Sequence, residues 1–300
     1  IADSILDAYL VQDPDSRVAV EVMGGHGVVN VSGEITSQAK VDIKSVVQTI
    51  LGDNYLVREH LSRQSEAIAT GVDGGGAGDQ GIMVGYACNE TDTLMPYEYE
   101  LARHLCQVIY GYFPYDGKVQ VTLDGSHIIT VVASFQNAPH DELEDLVRRI
   151  VKADTYLINP AGDWTLGGLD ADSGLSGRKL VVDAYGPNVP IGGGSFSGKD
   201  YTKVDRSGAY MARKIAVDLL KYHHSQEAMV KLAYAIGIAE PVMALAIIDG
   251  EGHDLLSSNY LDYDLSPQGI RLALGLDNYH FVDFSTWGHF GRHDLSASWC

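Results

Sequence analysis

Positive charge is what this sequence has least of. Lys and Arg number 21 against 40 Asp and Glu, a formal net charge of −19 over 300 residues. Nucleic-acid binding rests on a basic footprint, so that partner class is disfavoured. An anionic substrate would have to be drawn in by a local cluster of cations or by metal ions. Cysteine is also scarce. Cys88, Cys106 and Cys300 are odd in number and far apart, which suggests neither a disulfide framework nor a zinc site and leads to the expectation of a reducing, cytoplasmic compartment. No apolar run approaches the roughly 20 residues that span a bilayer, and no secretory leader is visible, so no membrane partner is expected. An initiator Met is missing too. The chain opens at Ile1-Ala2-Asp3-Ser4-Ile5-Leu6, already in helical rhythm, and the expectation is that residues precede it in the full protein.

Glycine, by contrast, is plentiful, and it concentrates chemistry at Gly192–Ser207, GGGSFSGKDYTKVDRS. Glycines let backbone N–H groups approach an anion, lysines supply point charges for phosphate, and carboxylates hold Mg²⁺ against the same oxygens. The stretch follows an apolar run, Leu180 to Tyr185, that reads as a strand. It precedes a helix with Ala209, Ala212, Ile215, Ala216, Leu219 and Leu220 on one face. A loop entering a helix N-terminus is where oligophosphates bind. Gly193, Gly198 and Lys199 match the first seven positions of a P-loop, but Asp200 stands where a Ser or Thr hydroxyl should reach the metal. Solvated charges on a surface loop are the bland alternative.

Length allows roughly two or three domains, and an internal repeat favours three. Ile1–Leu10 reads as a helix with Ile1, Ile5, Leu6 and Tyr9 inward. Strands follow at 17–22 and 27–35 about a Gly24-Gly25 hairpin signal, then a helix at 41–51 with Ile43, Val46, Val47 and Ile50 inward. The order recurs as helix 97–109, strands 118–123 and 127–135 around Asp124-Gly125, and helix 141–151 with Leu143, Leu146, Val147 and Ile150 inward. A third copy takes the helix after the glycine stretch, strands 230–238 and 242–248, and a helix capped by Ser266 with Pro267 at its first position. The fold class expected is α+β: three similar helix/strand-strand/helix domains, 1–73, 74–166 and 167–300, each a sheet with helices on one face.

Polar clusters sit at the joints: Gly76–Gly81, Asn89–Asp92, Asn159–Trp164, and Gly167-Gly168 leading to Asp170, Asp172, Gly174, Gly177, Arg178 and Lys179. Singly each is ordinary turn chemistry; together their density of Asp, Lys and Gly is harder to dismiss. They lie within or beside GAGDQG (76–81), GYACNETDTLMP (85–96), INPAG (158–162) and SGLSGRK (173–179). With GGGSFSGKD, SGEIT (32–36), RQS (63–65), DGK (116–118), YAIGIAEP (234–241) and WGHFGR (287–292), these motifs resemble, in order and over nearly the whole length, the S-adenosylmethionine synthetases, also called methionine adenosyltransferases, in a bacterial but divergent and short form. The family fold is three similar α+β domains around a pseudo-threefold axis, which agrees with the repeat.

The resemblance implies that methionine sulfur attacks C5′ of ATP and expels the triphosphate, which the same site cleaves to diphosphate and phosphate, with Mg²⁺ and K⁺ as cofactors. A neutral thioether needs no general base; in-line alignment and neutralisation of the leaving triphosphate lower the barrier. By the same resemblance Lys118, Arg178, Lys179, Lys199 and Lys203 are triphosphate cations, Asp205 is the Mg²⁺ ligand and Glu21 the K⁺ ligand. Glu34 and Gln64, with Asp79 a weaker candidate, fall at methionine-binding positions, to which Lys203 is also assigned. Asp172 lies where both substrates are touched. Asp116, Asp163 and Trp164 occupy nucleoside positions, Trp164 stacking on adenine, and Ser195 lies in the ATP-binding loop.

The family's GHPDK motif, which carries a phosphate-contacting histidine and a Mg²⁺-binding aspartate, lies immediately before the residues matching Ile1; disorder or truncation, rather than true loss, is the expectation. Asp163 replaces a basic residue common in bacterial members, and the segments at Asn54-Tyr55 and Tyr112-Phe113 are pared down. A homo-oligomer, dimer or dimer of dimers with shared sites, is implied, with a flat apolar surface on each subunit. A non-catalytic nucleotide-binding paralogue is the alternative; a P-loop kinase is weakened by Asp200 and by the repeat.

Overall fold

The computed structural model describes residues 1–257 and 263–300. The chain is α+β, with three small sheets and helices packed on them. It divides into two compact units, one comprising Ile1–Gly24, Val28–Met95 and Leu175–Cys300, the other Gly25–Gly27 and Pro96–Gly174.

In the first unit, strand Val28–Thr36 lies between Arg17–Gly25 and Leu56–Ser62. It runs parallel to Leu56–Ser62, with Val31 opposite Glu59. Alternation sets the faces: Val18, Val20 and Val22 turn into the core, leaving Arg17, Ala19 and Glu21 on the opposite face. Helix Ala2–Leu10 buries Ile5 and Leu6, and Ile43–Leu51, capped by Asp42 on Ser45 N, buries Ile43 and Val47. Ile50 departs from its expected inward position and is 47% exposed. The hairpin turn falls two residues past Gly24-Gly25, at His26-Gly27, where both residues take the left-handed conformation (φ 49° and 78°) that a two-residue turn requires.

The other sheet of this unit is antiparallel, in the order Glu251–Asp254, Met243–Ile248, Glu227–Tyr234, Gly81–Cys88. Its strand Glu227–Tyr234 ends before the expected 238, because 235–238 turns back to bond Ala77: Ala77 N donates to Ile238 O and Gly237 N to Ala77 O. Helix Val204–His223 lies on this sheet and buries all six residues of its expected apolar face. Each fully buried Ile or Leu contributes roughly 1.5–3 kcal/mol. Pro267–Leu274 is the last α-helix, capped by the Ser266 hydroxyl on Gly269 N at 3.0 Å. The run from Leu180 is not a strand. Leu180–Asp183 is one helical turn, with Asp183 N on Lys179 O and Ala184 N on Leu180 O. Val181 and Val182 are exposed; a short apolar run carries no periodicity that separates the two states.

The second unit has one sheet in which His127–Phe135 pairs antiparallel with Gly117–Asp124 and parallel with Thr155–Ile158. Helices Tyr97–Tyr112 and His140–Ile150 bring Leu105, Ile109, Leu143, Leu146 and Val147 onto Ile128, Val131, Ala133 and Phe135. The order helix, hairpin, helix, parallel strand repeats that of the first sheet.

Candidate active site

In the first unit the glycine stretch is fastened to strand Arg17–Gly25. Val20 N donates to Gly198 O at 3.0 Å, Asp200 N donates to Val18 O at 3.2 Å, and Ala19 and Lys199 form an antiparallel bridge. Gly198 holds φ +80°, and a Cβ there would meet Val20 O at 2.3 Å, so only glycine fits. Lys199 is thereby delivered to the mouth of helix Val204–His223, where its ammonium meets the Asp205 carboxylate at 2.7 Å. Both side chains are mostly buried, at 16% and 14% exposure. Across the loop, a Cβ on Gly194 would lie 2.1 Å from Asp205 Cγ; glycine leaves room for the carboxylate.

Asp200, the residue that departs from the P-loop pattern, is fully buried. Its carboxylate accepts from Val18 N at 2.7 Å, Thr202 N at 2.9 Å and the Thr202 hydroxyl at 2.7 Å, and pairs with Lys203. It ties loop to sheet, and the helix begins only at Val204. Lys203, at the helix cap, faces Asp200.

Glu21, on the non-core face of its strand, collects two hydroxyls. Ser176 donates to one carboxylate oxygen and Ser195 to the other at 3.4 Å. Ser176 is held by the same strand: its N donates to Val22 O, and its Oγ accepts from Val22 N. Arg178 and Lys179 follow and are exposed, as are Glu34 and Asp79. Gln64 is half-buried, and its Oε1 is buried without a hydrogen bond. Of the expected residues in this unit, the structure therefore joins Lys199 with Asp205 and Glu21 with Ser195.

Asp116, Lys118, Asp163, Trp164 and Asp172 belong to the second unit. Asp116 Oδ2 accepts from Gly168 N at 2.8 Å. Asp163 accepts from His140 N at 3.3 Å and Asn159 Nδ2 at 3.1 Å, so it serves the first turn of helix His140–Ile150, where an anion is favoured. Trp164 is half-buried and accepts from Asn137 N through its carbonyl. Lys118 and Asp172 are exposed.

Sequence reading missed the groups beneath the glycine loop. Asp3 and Arg206 form a bidentate pair at 2.7 Å, each about 1% exposed. Burial would push the Asp3 carboxyl up, but the charge and hydrogen bonds of Arg206, with the Gly198 N–H, hold it below its ordinary value. His289 is buried and pushed down to about 3 by desolvation and by the Arg206 charge. Asp183 is raised to about 6 by desolvation and by Asp3. An Asp at helix spacing ahead of an apolar face was the only signal for Asp3.

Donor chemistry fits the expected ions. Asp205 offers one hard carboxylate, the usual protein share of a Mg²⁺ that is otherwise held by phosphate oxygens. Glu21 with Ser176 and Ser195 offers oxygen donors alone, as a hard cation needs. Among the described residues no cluster of three or more His, Cys, Asp or Glu gathers at one point, and no helix is long and apolar enough to cross a membrane.

Comparison with known families names the class to which this α+β fold and its glycine loop belong. S-adenosylmethionine synthetase domain models match along the chain: the N-terminal domain at residues 1–70, the central domain at 74–164 and the C-terminal domain at 166–300. The chain belongs to the S-adenosylmethionine synthetase family. Among solved structures it is similar to one described as an unusual S-adenosylmethionine synthetase from Campylobacter jejuni. Identity is 32%, the TM-score is 0.87, and the match covers 99% of this chain and 91% of that one.

Proposed function

We propose that this chain makes S-adenosylmethionine from L-methionine and ATP and cleaves the released triphosphate to diphosphate and phosphate. The observation that carries the reading is the Lys199–Asp205 contact, an ammonium and a carboxylate at 2.7 Å where the glycine loop enters a helix. On a net charge of −19, a lysine ammonium held at a loop-to-helix entry beside a carboxylate that could take Mg²⁺ suits a polyphosphate.

In this reading Lys199 neutralises charge on the departing triphosphate, with Lys118, Arg178, Lys179 and Lys203 as further cations. Asp205 would hold Mg²⁺, and Glu21, supported by Ser176 and Ser195, would hold K⁺. Bound there, these ions supply charge neutralisation on phosphate oxygens and order the site. Glu34, Gln64, Asp79, Asp172 and Lys203 orient methionine; Asp116, Asp163, Trp164 and Ser195 orient the nucleotide. Met23, Leu56, Ile191 and Val242 expose apolar surface on the first unit. With it, the reading includes a cytoplasmic homo-oligomer, dimer or dimer of dimers, with shared sites.

Incubation of the full-length protein with methionine, ATP, Mg²⁺ and K⁺, followed by mass spectrometry, tests the reaction. S-adenosylmethionine with diphosphate and phosphate is expected. ATP binding without product would instead identify a non-catalytic paralogue. Lys199→Ala and Asp205→Asn should each lower kcat by about 10²–10³, with a smaller change in KM for ATP. Near wild-type turnover in both would remove the glycine loop from the site.

A further inference from the structure

The glycine loop is gripped from its inner side by groups that touch no expected substrate position. Gly198 N donates to Asp3 Oδ1 at 2.8 Å. Arg206 NH1, already paired with Asp3, donates to the Lys199 carbonyl at 3.1 Å. Arg206 Nε donates to the Tyr210 hydroxyl at 3.2 Å, and that hydroxyl shares a 2.7 Å hydrogen bond with His289 Nδ1. Phe196, within the loop, sets its ring edge-on to both His289 and Tyr210, with centroids 5.0 and 6.0 Å apart. The loop is therefore anchored at three successive points, the Phe196 ring, the Gly198 N–H and the Lys199 carbonyl, by one continuous buried chain. All four members of that chain are buried.

Helix register couples this anchor to the candidate site. Asp205 and Arg206 are consecutive in the first turn of helix Val204–His223. One holds the Lys199 ammonium and the other the Lys199 carbonyl. The same turn thus fixes both ends of one residue. A buried charged pair is weak evidence for added stability, because a well-packed apolar pair serves as well. Its directional hydrogen bonds to a loop backbone are what an apolar pair would not provide.

We propose that Asp3, Arg206, Tyr210 and His289 are positioning residues, a buried polar chain that fixes the backbone from Phe196 to Lys199 and so aims the Lys199 ammonium. The proposal rests on Lys199 being a triphosphate cation. In turnover the buried chain acts through the aim of Lys199, so its effect on kcat should depend on Lys199 being present.

A double-mutant cycle on the full-length protein tests this. Arg206→Lys keeps the charge beside Asp3 but lacks the planar fork that reaches Asp3 and the Lys199 carbonyl together. Alone it should lower kcat about tenfold or more, with KM for ATP changed less than about threefold. Added to Lys199→Ala, it should change kcat by less than about twofold. Tyr210→Phe, which keeps the ring and removes the hydroxyl, is the milder arm should Arg206→Lys fail to fold, and it should show the same non-additivity. Hydrogen exchange supplies a readout without turnover: amides of 196–199 should exchange about tenfold faster in either variant, while Met243–Ile248 stays protected. Losses that multiply with Lys199→Ala, or unchanged exchange across 196–199, would overturn the proposal. A wild type that makes no product would sink the transferase reading alone, because the exchange comparison still decides the anchor.

Discussion

The carboxylates around the glycine loop and two expected nucleoside-position carboxylates of the second unit are held in opposite ways. Asp3, Asp200 and Asp205 of the first unit are buried or nearly so, and each faces a cation: Arg206, Lys203 and Lys199. Asp116 and Asp163 of the second unit are exposed and accept backbone or amide N–H groups instead. A buried charge that loses its partner has no water to replace it, whereas an exposed one has. The first arrangement is stiff and intolerant; the second leaves side chains free to re-hydrate when something else displaces them.

Breaking the buried arrangement should have the largest effect. Asp3→Asn leaves Arg206 without its counter-ion and should reduce unfolding free energy by about 3–5 kcal/mol in urea titrations near neutral pH. Because the folded-state value of Asp3 is lowered, its contribution is present above the ordinary carboxylate range and is lost as pH falls through that lowered value. Wild type and variant should therefore converge in acid. A loss under about 1 kcal/mol at neutral pH would show that the pair is no stiffer than a surface contact.

Asp183 sharpens the comparison with the sign reversed, since it is a partly buried carboxylate that desolvation and the neighbouring Asp3 charge raise from 3.8 to about 6 against the opposing pull of Arg206. The folded protein then holds more protons than the unfolded chain between these values, so stability falls as pH rises through that window. Asp183→Asn should raise stability by about 1–2 kcal/mol at pH 7.5, after allowing for partial solvent screening, and leave it unchanged near pH 4. Equal gains at both pH values in thermal melts would contradict the assignment. The smallest effect belongs to the second unit: Asp163→Ala should cost about 1 kcal/mol or less, as for a lost helix cap. A cost above roughly 2 kcal/mol would place Asp163 in the stiff class.

How much of this was legible in the sequence depends on what each element rests on. Helix Val204–His223 was readable because its apolar face repeats at 3.6 residues, and the Ser266 cap because Ser-Pro carries its own local chemistry. The Lys199–Asp205 pair was readable as a neighbourhood, six residues apart, though not as a contact. Asp3 and Arg206 lie 203 residues apart, and nothing local tells an aspartate that will be buried from one that will be solvated. Leu180–Asp183 was misread because three consecutive apolar residues, Leu180 to Val182, fit either a strand or a helical turn. Strand Gly81–Cys88 received no assignment between the polar clusters 76–81 and 89–92; its sheet partner is supplied from far downstream.

That strand also has a consequence for how the protein is made. Tyr86 and Glu227, bonded across it at 2.7 Å, are 141 residues apart. At roughly 5–20 residues per second, a ribosome needs on the order of ten seconds to deliver the partner strand after Gly81–Cys88 has emerged. Throughout that interval Ile-Met-Val-Gly-Tyr-Ala-Cys, an apolar β-forming segment without a charge, waits unpaired in the nascent chain, which is the composition that aggregates. Slower synthesis should therefore lengthen that exposure and lower the soluble yield of this polypeptide.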